Sequence, residues 1–187
     1  MVASFVTAGG AAVRASAIIL AFHSSPPEKA EVAENVKIAK KVADNPIDGG
    51  EPNLMAGNVS NSNIWEKGNN KSQDEVHRMF SEMVDWAVDE GADMLIGETF
   101  YYAEEAYRAL EIMKKTGLPC VVTIAPMAEN IMRDGVSIVD TCKELEQRGA
   151  DVVGMNCFRG PATMLPYLKE IRAVSYTHLT LPTKRIV

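Results

Sequence analysis

The sequence contains no Gly-x-Gly-x-x-Gly, no phosphate-loop Gly-x-x-x-x-Gly-Lys-Ser/Thr and no Gly-x-Ser-x-Gly. The first two present loop backbone N–H groups to nucleotide phosphates, and the third exposes a serine nucleophile, so dinucleotide, nucleotide and serine-hydrolase chemistry are disfavoured. Cysteine is scarce: Cys120, Cys142 and Cys157 form no even, closely spaced framework and match no zinc spacing. A reducing, cytoplasmic setting is the expectation. Long apolar runs are lacking too. The stretch 15–22 is too short to span a bilayer, which argues against a membrane partner. Only Arg14 supplies positive charge near it, so a secretory leader is not expected. Basic residues number 19 against 25 acidic, and the net charge of −6 argues against a nucleic-acid partner.

What is present is ordinary for a globular chain of 187 residues, 47% of them apolar and 24% charged. Aromatics make up only 6%, while Ala, Val, Ile, Leu and Met abound, a balance that favours an α/β fold over a β-sandwich. Two patterns alternate along the chain. Short unbroken apolar runs read as strands buried on both faces, as in a parallel sheet. Between them lie longer charged segments with helical spacing.

Strands are predicted at 16–22, 53–59, 93–98, 119–125 and 151–157. Helices are predicted at 28–44, from Ser72 to about 90, and at 103–116, 137–148 and 162–174. Ser72 with Glu75 suggests a capping box, and Pro166 suits a first helical turn. The apolar stripe of the second helix is Val76, Met79, Phe80, Met83, Val84, Ala87 and Val88, with Met79 and Met83 read as core. Gly91, Gly117 and Gly149 fit left-handed helix stops. Gly91-Ala-Asp-Met-Leu-Ile-Gly97 and Gly149-Ala-Asp-Val-Val-Gly154 repeat one device: a helix-ending glycine, a strand-opening aspartate, then an apolar strand.

Five such βα units imply a (β/α) barrel or a doubly wound sheet. A complete (β/α)₈ barrel needs roughly 250 residues, so the expectation is a partial TIM barrel of about five βα units. It would occupy residues 1–174 and be incomplete at both ends. Residues 1–15 are weakly patterned, as a frayed helix or a misplaced start would be. Residues 175–187 contain no acidic side chain and break the alternation, and they read as a non-native tail.

Both architectures place their sites at the C-terminal ends of strands. Glu98 ends an apolar strand, where a partly buried carboxylate calls for an ammonium or hydroxyl partner. The other reading is a solvated strand-end carboxylate or a partner for the next helix. Cys157 ends the fifth strand, as a ligand or as a small buried hydrophobe. Cys120, at a strand start, and Cys142, inside a helix, read as structural. His23 is a candidate ligand or base, or a plain loop histidine. Asn58 and Asn61 could orient a substrate or shape a turn. Tyr101 and Tyr102 could line a pocket or cover a helix start.

Three segments together resemble the homocysteine S-methyltransferase family, above all its betaine–homocysteine methyltransferase-like branch. They are Ala56-Gly-Asn-Val-Ser-Asn-Ser-Asn-Ile64, Ile96-Gly-Glu-Thr-Phe-Tyr-Tyr-Ala-Glu-Glu-Ala106 and Gly149-Ala-Asp-Val-Val-Gly-Met-Asn-Cys157. Arg159-Gly-Pro-Ala-Thr-Met-Leu-Pro166, and Asn35 with Ile38-Ala-Lys-Lys-Val-Ala43, extend the likeness to about residues 18–174. The resemblance implies a (β/α)₈ barrel that holds Zn²⁺ with three cysteines. Cys157 is similar to the first of these, and the Gly-Gly-Cys-Cys-Gly motif of the other two does not occur here. It implies that Glu98 binds the homocysteine amino group; Asn58 and Asn156, from their strand-end positions, are expected as further substrate contacts.

The implied partners are homocysteine and a small methyl donor, with a homo-oligomer possible for the full-length protein. Where the family carries Thr-Tyr-Tyr or Thr-Phe-Tyr after the first strand, this chain reads His23-Ser24-Ser25, so the likeness does not extend to donor contacts. Zinc deprotonates a coordinated thiol, and three protein ligands leave a fourth position for the substrate sulfur. One cysteine of three makes an incomplete site, so the chain alone is expected not to turn over. Two alternatives stand beside this reading: a metal-independent barrel enzyme that binds a pterin or small anion, and a non-catalytic half-barrel that needs a partner chain.

Overall fold

A computed structural model describes residues 2–6, 12–16, 29–45, 53–126, 130–157 and 160–175. Its elements are β1 (Val2–Val6), β2 (Ala12–Ser16), α1 (Lys29–Asp44), β3 (Leu54–Ser60), α2 (Asn70–Asp89), β4 (Met94–Phe100), α3 (Ala103–Lys114), β5 (Cys120–Ile124), α4 (Ile138–Gln147), β6 (Val152–Met155) and α5 (Pro161–Val174). The six strands lie in chain order, and every pairing from β2 to β6 is parallel. A doubly wound sheet reverses its strand order at a switch point. This sheet does not, so it is an arc of a (β/α) barrel, as expected. Among the described residues no helix is long and apolar enough to cross a membrane.

The N-terminus departs from the sequence reading. Residues 2–6 pair antiparallel with 12–16, from Val2 opposite Ser16 to Val6 opposite Ala12. Two short strand-forming runs flank Gly9-Gly10, a composition that suits a hairpin better than a frayed helix. Ser16 therefore closes β2 instead of opening the first strand. The rest of that predicted strand, together with His23, lies outside the described residues, as do residues 176–187.

Side chains alternate across the strands and divide the sheet into two faces. One face carries Met55, Val59, Leu95, Cys120, Val122, Ile124, Val153 and Met155, which pack with the helices into the main core. The other carries Ala56, Met94, Ile96, Val121 and Val152 in a smaller cluster, the inner face of the barrel arc. Helix α2 lies close enough to β3 that a Cβ on Gly57 would fall 2.5 Å from the Ala87 Cβ and 2.9 Å from the Leu95 Cδ2. Only glycine fits beneath the helix there.

Most of the predicted α2 stripe is buried, but Met79 is half-buried and Val88 is 40% exposed. The capping box is not formed. Asn69 caps α2 instead, its Oδ1 accepting from the N–H groups of Lys71 and Ser72. The Ser72 hydroxyl donates to the Ile64 carbonyl, and Glu75 pairs with Arg78. Asparagine caps as well as serine does, and the loop had a better use for the hydroxyl. In α5 the N-terminal proline is Pro161, while Pro166 lies inside the helix.

The glycine stops behave as read: Gly91, Gly117 and Gly149 have φ of +83°, +77° and +97°. The repeated aspartate does more than open a strand. Asp93 accepts at Oδ2 from the Met55 N–H at 2.8 Å and donates its own N–H to the Met55 carbonyl at 2.9 Å. Asp151 makes the same pair with Cys120, at 2.8 and 2.9 Å. Lys40 from α1 and Lys114 from α3 add an ion pair to each. Each aspartate thereby fastens the start of its own strand to the start of the preceding one.

Candidate functional site

On the inner face the apolar floor of Ala56, Ile96, Val121 and Val152 gives way, one step toward the strand C-termini, to Asn58, Glu98, Thr123 and Gly154, with Asn156 just beyond. The row is staggered: Asn58 stands opposite Ile96, two residues before Ser60, which faces Glu98, and Thr123 stands opposite Gly154. Parallel strands end on one side of the barrel, so a period-two sequence that turns polar at its end becomes a polar rim on an apolar floor.

Glu98 is half-buried, and its Oε1 accepts from the Asn58 Nδ2 at 3.1 Å. Burial raises its pKa above the ordinary carboxylate range, and the Asn58 hydrogen bond offsets part of that rise. A carboxylate oxygen only accepts, so Asn58 must turn its NH₂ to Glu98. That leaves the Asn58 Oδ1 buried without a partner.

The strand carrying Glu98 is bulged. Gly97 pairs with Val122 and Phe100 with Ile124, so Glu98 and Thr99 share the single opposing position of Thr123. Thr99 takes up the extra length at φ +62°, a region that a β-branched residue occupies at a cost of about 1–3 kcal/mol. Two asparagines hold it there. Asn156 accepts from the Thr99 N–H at 3.1 Å and donates to its Oγ1 at 2.7 Å, while Asn61 donates to its carbonyl at 3.0 Å.

The same Asn156 NH₂ lies 3.4 Å from the Cys157 sulfur. Asn156, expected to contact substrate, is thus engaged with the protein and ties the Glu98 strand end to Cys157. Cys157 itself is exposed, at φ +55°.

Glu105 was not singled out from sequence. It is 1% exposed, and its Oε1 accepts from both the N–H and the hydroxyl of Ser62, at 2.7 and 2.6 Å. Burial raises its pKa against the lowering effect of Ser62 and the Arg133 charge. A signal was present: Glu105 stands four residues before Ala109, on the apolar stripe of α3. Tyr101 and Tyr102 lie beneath the Arg133 guanidinium, at 4.7 and 5.8 Å from the ring centroids, where they cover the start of α3.

Cys120 and Cys142 are fully buried among the helices. Burial pushes their thiols up to about 11 and about 12. Among the described residues no three His, Cys, Asp or Glu side chains are grouped to hold a metal ion. Cys157 is an accessible thiol of the right kind, but the other two cysteines lie on the opposite face of the sheet. The described residues therefore bring together no metal centre.

The profile of the homocysteine S-methyltransferase family matches residues 15–185. The S-methylmethionine–homocysteine S-methyltransferase BHMT2 of Mus musculus is 29% identical over 126 residues, which is 67% of this chain and 34% of that protein. The betaine–homocysteine S-methyltransferase 1 of Rattus norvegicus is 34% identical over 135 residues, 72% of this chain and 31% of that protein. The chain therefore spans about a third of the length of the curated relatives it matches. The apo crystal structure of the homocysteine methyltransferase MmuM from Escherichia coli superposes with a TM-score of 0.66 at 18% identity, over 83% of this chain and 60% of that one. At that identity the likeness speaks for the fold.

Proposed function

This chain belongs to the homocysteine S-methyltransferase family, and on that premise we propose that its full-length protein transfers a methyl group to the homocysteine thiol, giving methionine. The observation that carries the reading is the pairing on one barrel rim of a half-buried carboxylate, Glu98, with an accessible thiol, Cys157, joined through Asn156 and Thr99.

Glu98 binds the substrate ammonium. A half-buried carboxylate is poorly solvated, so the incoming cation replaces lost hydration and favours the ionised form. Asn58 holds the other side of the carboxylate and fixes its direction. Anchoring the amino-acid end sets where the substrate sulfur can reach, and that positioning lowers the entropic cost of the transfer. Cys157 contributes one ligand to Zn²⁺, with the remaining ligands outside this chain. When bound, the metal supplies a thiolate in place of a thiol. The free thiol at Cys157 requires a reducing compartment, which we take to be the cytoplasm.

The test is methionine formation from homocysteine by the full-length protein, with betaine and S-methylmethionine supplied in turn. Cys157→Ser is expected to abolish turnover. Glu98→Gln is expected to raise the KM for homocysteine by about 10–100-fold, the worth of a hydrogen bond to a charged group. Unchanged turnover in Cys157→Ser would overturn the proposal and favour a barrel enzyme that works without metal.

A further inference from the structure

Thr123 stands in the middle of the rim, and nothing in the fold accounts for its hydroxyl. The residue is 6% exposed, and its Oγ1 has no hydrogen-bond partner among the described residues. Val would fill the same space, and Val121 and Val122 show that β5 accepts it. Neither neighbour of Thr123 in the sheet supplies its hydroxyl with a partner. Toward β6 it faces Gly154, which has no side chain. Toward β4 it faces the bulge, with Glu98 on the same inner face.

Across Glu98 lies the second orphan, the buried Oδ1 of Asn58. Glu98 thus sits between two buried oxygens that have no donor. A primary ammonium carries three N–H donors, and a carboxylate, an amide oxygen and a hydroxyl oxygen are three acceptors for it. A trimethylammonium carries none and leaves all of them unpaired.

Resting on the function proposed above and deepening it, we infer that Thr123 is a substrate-contacting specificity residue: its Oγ1, with the Asn58 Oδ1, completes with Glu98 a three-acceptor seat for the primary ammonium of the amino-acid substrate. The seat selects free amino acids against their N-methylated or deaminated analogues. Discrimination is strong where a site leaves buried polar groups unpaired with the wrong ligand.

The test is titration calorimetry on the full-length protein with L-homocysteine and with 4-mercaptobutanoate, which lacks only the ammonium. Thr123→Val removes the hydroxyl at constant shape, and Thr123→Ser retains it. Thr123→Val is expected to weaken homocysteine binding about fivefold to tenfold, the worth of one hydrogen bond, and to leave 4-mercaptobutanoate unchanged. Thr123→Ser should restore the preference. Equal weakening for both ligands, or no effect on either, overturns the inference. If Glu98→Gln erases the preference and Thr123→Val keeps it, the ammonium site stands and Thr123 has no part in it. If the unmodified chain shows no preference, both readings fall.

Discussion

Replacing Asn156 with alanine tests the rim most directly, because one side chain holds both the bulge and the neighbouring thiol. The substitution removes two hydrogen bonds to Thr99, at 3.1 and 2.7 Å, and a weaker one to the Cys157 sulfur. Each ordinary bond is worth about 1 kcal/mol net, and the abandoned Thr99 N–H adds its own desolvation cost, for roughly 2–3 kcal/mol in all. For a chain of this size that lowers Tm by about 4–12 °C. Part of the loss returns if Thr99 leaves φ +62° for an extended conformation, which would also turn Glu98 away from Asn58.

The clean comparison is Asn156→Asp. An aspartate still accepts from the Thr99 N–H, and the threonine hydroxyl can rotate to donate to it, so this variant should lose less than half as much. Urea unfolding followed by circular dichroism measures both. A loss under about 0.5 kcal/mol for Asn156→Ala would refute the idea that Asn156 holds the bulge, since such a value belongs to surface substitutions.

Three further outcomes are expected. Homocysteine affinity should fall on acidification from a pH above the ordinary carboxylate range, because the raised pKa of Glu98 means that it loses its charge early; calorimetry across pH should show this, and Glu98→Gln should flatten that limb. By linkage, the raised pKa makes the ionised form the costly one: its penalty on the ligand-free fold grows as pH rises through the titration and disappears below the unfolded value. Glu98→Gln should therefore raise Tm at neutral pH, and no rise would refute this account. Asp151→Ala should cost about 1–2 kcal/mol in urea unfolding and Lys114→Ala under about 0.5, because the buried-edge bond to the Cys120 N–H outweighs an exposed ion pair. A thiol reagent should label Cys157 in the native chain and reach Cys120 and Cys142 only on unfolding, as peptide mapping would show.

The parts of the fold legible in the sequence were those decided by local backbone chemistry. Glycine at Gly91, Gly117 and Gly149 stops a helix because a left-handed residue there is costly for any other side chain. An unbroken run such as Cys120-Val-Val-Thr-Ile124 reads as a strand buried on both faces. Glu98 is conspicuous as a carboxylate that ends such a run, and Cys157 draws notice through the residues around it. What stayed hidden depends on contacts between distant segments. Thr99 owes its φ to Asn156, 57 residues away. The burial of Glu105 depends on Ser62, 43 residues away, and two adjacent glutamates opening a helix look like a solvated first turn. The sequence offers Asn156 as a substrate contact and gives no sign that it also bonds Thr99 and the Cys157 sulfur. The N-terminal hairpin was missed because five-residue strands show too few alternations to stand out from a weakly patterned stretch.

The paired aspartates have a consequence for how such a chain can change over time. Asp93 and Asp151 fasten β3 to β4 and β5 to β6 at the end away from the rim, one side chain per pair. Apart from residues such as Asn61 and Asn156 that hold the bulge, the segments beyond the strand ends can exchange residues while the strands remain in step. A fold anchored at one end in this way lets residues drift at the other, and a lineage can try new rim chemistry without first renegotiating its architecture.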